Sequence, residues 1–118
     1  MGGLAKQFED LRVWQDARIL TNRVYDRMDG CKDFAFRDQI QRAAVSIMNN
    51  IAEGFERNTP ADFARFLRIA KGSCGEVRST LYLAEDRRYV APANAADLRA
   101  SARALSMGIA AFIRTIRK

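Results

Sequence analysis

The chain has 118 residues, 48% of them hydrophobic, with 20 Lys and Arg against 14 Asp and Glu and a net charge of +6, which fits one globular core and excludes disorder. It has no histidine and only two cysteines, Cys31 and Cys74, which removes the common zinc sets and the side chain best suited to proton transfer near neutral pH. No apolar run approaches the roughly 18 residues of a membrane helix, and the start MGGLAKQFED has no signal-peptide core, so a cytoplasmic protein with no membrane contact is expected.

A first helix is predicted over about 11–28, where Val13, Ala17, Leu20, Val24 and Met28 recur every three or four residues beside Phe8, Trp14 and Tyr25. Asp29-Gly30 stops it and opens a connection. The second helix is predicted over about 34–56, with Ile40, Ala43, Ala44, Ile47, Met48, Ile51 and Phe55 on one apolar face. Along its flank Arg42, Ser46, Asn49, Asn50, Glu53 and Arg57 form a polar stripe. A generic bundle helix carries Lys and Glu there; small amides and a hydroxyl point to hydrogen bonding at a helix contact, or to a site. Gly54 weakens the last turn by about 1 kcal/mol relative to alanine, which predicts fraying or a close backbone contact.

Asn58-Thr59-Pro60 is the clearest helix start, with Thr59 as N-cap and Pro60 at the first helical position. The third helix is predicted over about 60–88, its seam being Phe63, Phe66, Leu67, Ala70, Cys74, Val77, Leu81 and Ala84. Gly72 and Gly75 lie off that seam and together cost on the order of 2 kcal/mol. They mark either a kink or a thin surface where another helix, including one from a second subunit, packs closely. Residues 89–94 turn the chain. A fourth helix is predicted over about 95–116 on Leu98, Ala102, Leu105, Ile109, Phe112 and Ile116. Arg99, Arg103, Arg114 and Arg117 fall within about 60° of one another on its outer side and, with Lys118, make a basic stripe. The expected fold is all-α, a single-domain up-and-down antiparallel four-helix bundle over 1–118.

The charge is unevenly placed. Residues 1–59 are balanced, and the positive excess lies entirely beyond them. Of the 20 basic residues 16 are arginine, whose planar fork matches phosphate. A GC-rich genome would produce the same composition, and both readings stay open at this point.

With FEDLRVWQDA at 8–17, QIQRAAVSIMNNIAEGFER at 39–57 and FARFLRIAKGSCGEVRSTLYLA at 63–84, the chain resembles the bacterial four helix bundle proteins. These are also called 23S rRNA intervening-sequence proteins, because many are encoded within insertions in ribosomal RNA genes. The resemblance implies a left-handed bundle that assembles into a homopentamer, with no enzymatic activity and no cofactor. It also implies kinship with the basic, pentameric accessory protein of diversity-generating retroelements, which works with a reverse transcriptase and its RNA. Many relatives have a proline near position 48; Met48 stands here and predicts a straighter second helix. The connection at 31–37 also lacks the Pro and Glu usual there.

The stripe Arg42, Ser46, Asn49, Asn50 and Glu53, joined by Ser73 and Glu76, is best read as a hydrogen-bonded seam between helices or subunits. A catalytic carboxylate pair would need a cleft and a cause for shifted pKa values, and the sequence shows neither. The expected function is non-enzymatic binding of nucleic acid, RNA in preference to DNA, by Arg99, Arg103, Arg114, Arg117 and Lys118 through backbone charge rather than base reading. The competing expectation is a structural module that binds an acidic protein partner. No metal site is expected.

Overall fold

The computed structural model describes residues 5–116. After a single 3-10 turn at Phe8–Asp10 come four helices: α1 (Arg12–Met28), α2 (Phe34–Phe55), α3 (Pro60–Asp86) and α4 (Pro92–Ile116). Each packs on its neighbours in the cyclic order α1, α2, α3, α4, with no substantial diagonal contact, and the whole measures 44 × 22 × 19 Å. Three short connections and helices of 17 to 27 residues leave only the up-and-down arrangement.

Local chemistry explains where each helix starts and stops. Gly30, at φ 86°, breaks the chain after α1 in a conformation that costs other residues strain. Asp33 caps α2 by accepting from the Phe36 amide at 3.2 Å, and Thr59 caps α3 by accepting from the Asp62 amide at 3.1 Å. Helix α3 stops at Asp86, two residues before its predicted end, where Arg88 takes φ 63° and turns the chain. Helix α4 begins at Pro92, three residues before the predicted start, because proline at the first helical position needs no amide partner. Helix α2 runs unbroken through Met48, and α3 runs unbroken through Gly72 and Gly75.

The core is drawn from all four helices: Leu20, Val24 and Met28; Ile40, Ile47 and Ile51; Leu67, Cys74, Val77 and Leu81; Leu98, Leu105 and Ile109. Burial pushes the Cys74 thiol up to about 12, so it packs as a small apolar group and stays protonated. Aromatic pairs close both ends. Phe63 meets Phe55 and Phe112 edge to face at 5.9 and 5.6 Å at one end, and Phe36 meets Tyr89 at 5.0 Å at the other. There the Tyr89 hydroxyl donates to Asp33 Oδ2 at 2.6 Å, joining the α3–α4 connection to the cap of α2. No helix among the described residues is long and apolar enough to cross a membrane.

Candidate functional site

Two faces of the bundle carry the polar residues picked out by the sequence. Between α2 and α3, Ser46 and Ser73 join their hydroxyls at 3.0 Å, and the Asn50 amide donates to the Ser46 carbonyl at 2.8 Å and to its hydroxyl at 3.0 Å. Ser73 is buried, so this bond satisfies a group that water cannot reach. The structure thus brings together three of the seven predicted seam residues. Arg42, Asn49, Glu53 and Glu76 are exposed; Glu53 pairs with Arg57, just past the end of α2, at 2.9 Å. Arg42 and Glu76 line a shallow groove of about 620 Å³ with Asp38, Gln39 and Ser46. No buried side-chain nitrogen or oxygen among the described residues lacks a partner, so the buried part of the seam is satisfied within the chain. Thr21, which the sequence did not single out, does similar work on the other side of α2, donating to the Ala44 carbonyl at 3.1 Å.

Of the two alternatives the sequence offers at Gly54, fraying or a close backbone contact, the structure shows the contact. At Gly54 an added Cβ would lie 2.7 Å from Phe66 Cβ and 3.3 Å from the Phe63 carbonyl, so this is where α2 and α3 demand a missing side chain. At Gly72 and Gly75 an added Cβ would meet nothing within 4 Å. Of the kink and the thin surface that the sequence offers there, α3 shows no break, and the surface has no partner among the described residues.

Those two glycines floor the second face, a groove of about 630 Å³ between α3 and α4, lined by Arg68, Lys71, Gly72, Gly75, Arg78, Ser106, Ala110 and Ile113. The row 68, 71, 72, 75, 78 shares one side of α3 by helical spacing, as do 103, 106, 110 and 114 on α4. Arg68, Lys71, Arg78, Arg103 and Arg114 form no ion pair with any described residue. Arg99 is different. Its side chain is only 17% exposed, donates to Glu85 at 2.9 Å and lies 4.0 Å over the Tyr82 ring. Its charge is therefore matched inside the chain, and it is a weaker candidate for phosphate contact than the angular pattern implied. Arg117 and Lys118 lie outside the described residues. The α3 cations went unread because a helical row shows which residues stand together, but not which neighbouring helix they face.

Among the described residues no group of three or more His, Cys, Asp or Glu side chains could hold a metal ion. The arrangement offers fixed hydrogen bonds on one face and uncompensated positive charge on the other. The profile of the 23S rRNA-intervening sequence proteins matches residues 9–111. The chain belongs to this family. A solved structure shares this fold with a TM-score of 0.80: a protein of unknown function from the S23 ribosomal protein family of Bacteroides thetaiotaomicron. That structure is 22% identical, and the alignment covers 86% of this chain and 97% of the other, which carries the fold alone. Comparison with curated proteins gives no match.

Proposed function

We propose that this member of the 23S rRNA-intervening sequence family is a non-enzymatic, homo-oligomeric bundle that binds nucleic acid through the α3–α4 face. The observation that carries this reading is the set Arg68, Lys71, Arg78, Arg103 and Arg114, none of which forms an ion pair with a carboxylate among the described residues. Leaving several like charges together is unfavourable in an isolated chain, and a polyanion relieves it by counterion release. Backbone charge of this kind is indifferent to base sequence, so a reverse transcriptase or another protein partner would have to supply specificity. RNA rather than DNA is the expected ligand, and the experiment below separates the two.

Assembly, with five copies as the expected number, would multiply one modest patch into a ring of positive potential. An apolar groove of about 600 Å³ between α1 and α4, lined by Val13, Phe63, Leu105 and Phe112 among others, supports a contact with a second copy.

The test is fluorescence anisotropy of a labelled RNA and a matching duplex DNA at about 50 and about 200 mM salt. The expected result is micromolar or tighter binding that falls steeply with salt and disappears when the five cations become glutamine. Absence of binding at the lower salt would overturn the reading and turn attention to an acidic protein partner. Light scattering on the same samples reads the number of copies.

A further inference from the structure

The α3–α4 face carries an aromatic platform as well as charge. Tyr82 is 57% exposed, and one side of its ring is covered by the Arg99 guanidinium at 4.0 Å. Arg99 is itself held by Glu85 Oε1 at 2.9 Å. A surface tyrosine ordinarily samples several rotamers, whereas this ring rests on a cation that is anchored in turn. Its outer side is then a flat, ordered surface of the kind on which a nucleobase stacks.

Tyr82 also stands in the right row. It follows Gly75 by seven residues, about 20° off the same line along α3, and is one turn beyond Arg78. From Lys71 to Tyr82 is about 16 Å at the helical rise. The glycine floor therefore leads from the cations to the ring, and the open space at Gly72 and Gly75 lets a chain lie close to the helix backbone.

We propose that this face is specific for single-stranded nucleic acid, with phosphates against Arg68, Lys71, Arg78, Arg103 and Arg114 and one base stacked on the outer side of Tyr82. The inference rests on the nucleic-acid reading above and adds the strandedness and the stacking residue. A duplex keeps its bases stacked on each other and offers the ring none, while a single strand offers both phosphates and free base faces.

The experiment measures anisotropy of labelled 12-nucleotide oligoadenylate, its DNA counterpart and a 12-base-pair RNA duplex, for the full chain and for Tyr82→Leu and Tyr82→Phe. Leucine keeps the apolar bulk without the π face, and the exposure of the site means that folding, checked by circular dichroism, is preserved. The expected result is tighter binding of a single strand than of the duplex, about a tenfold or larger loss of single-strand affinity in Tyr82→Leu, an unchanged duplex affinity and rescue in Tyr82→Phe. Either strand chemistry supports the platform, and a preference for the RNA strand names the ligand. Salt-sensitive binding that Tyr82→Leu leaves unaltered, or weakens equally for strand and duplex, overturns the platform alone. No binding of any probe overturns the nucleic-acid reading as well.

Discussion

Gly54, in the last turn of α2, and the pair Gly72, Gly75, midway along α3, place the same residue type in a helix in opposite surroundings. At Gly54 the fold explains the residue: Phe66 and Phe63 of α3 occupy the space where a side chain would be. At Gly72 and Gly75 the fold explains nothing, since the space is empty. A helix tolerates about 1 kcal/mol per glycine only where something is gained by it. On the α2–α3 face the gain is close packing within the chain; on the α3–α4 face, beside cations that pair with no described carboxylate, no such gain lies among the described residues.

The sharpest way to break this comparison is to add a methyl group at each position and compare signs. In Gly54→Ala the new carbon meets Phe66 Cβ, which moves only with its backbone, so overpacking of about 1–3 kcal/mol exceeds the helix-propensity gain of about 1. The melting temperature should fall by roughly 5 °C, read by calorimetry. The double variant Gly72→Ala/Gly75→Ala should move the other way, gaining about 1–2 kcal/mol, because nothing obstructs either methyl. If the groove floor serves a ligand, this stabilised variant also binds RNA more weakly. A double variant less stable than the parent would show that a partner within the native assembly already packs on these glycines.

The helices were legible because their apolar residues repeat at helical spacing, and Thr59-Pro60 stated its own boundary. The start of α4 was not, since Pro92 reads equally well as a breaker and as a first helical residue. Pattern along one helix also cannot show what stands opposite. That is why Gly54 was left between fraying and contact, why Arg99 was grouped with free cations although Glu85 of α3 neutralises it, and why Arg68, Lys71, Arg78 and Tyr82 were not singled out. Of the polar stripe, Ser46 of α2 meets Ser73 of α3 across the helix contact and Asn50 donates to Ser46 from the same helix, whereas Asn49 and Glu76, at similar spacing, are exposed.

The α2–α3 face admits a test of how closed it is. Ser46→Ala leaves the buried Ser73 hydroxyl without its partner and should cost about 1 kcal/mol in urea unfolding, and Ser73→Ala should cost a similar amount. If the bond is self-contained, the double variant costs clearly less than the two together, the coupling being about 0.5 kcal/mol or more. Strict additivity would mean that each hydroxyl serves some other group, as a subunit seam would require.

The smallest effect belongs to neither face and serves as their control. At the end of the bundle the Tyr89 hydroxyl and the Phe36 amide both donate to Asp33, holding its carboxyl below the usual value of 3.8, and the same bond holds the Tyr89 phenol above 10.0. A carboxyl lowered in the folded state contributes stability above pH 3.8 that is lost as pH falls through its folded value; a phenol raised in the folded state contributes below pH 10.0 and loses it as pH rises further. Asp33 is exposed and Tyr89 only half-buried, so the change is slight. Tyr89→Phe should flatten the acid limb of the stability curve and remove the alkaline one, while leaving salt-dependent RNA binding as it was. A loss of binding in this variant would mean that the end of the bundle, rather than the α3–α4 groove, holds the ligand.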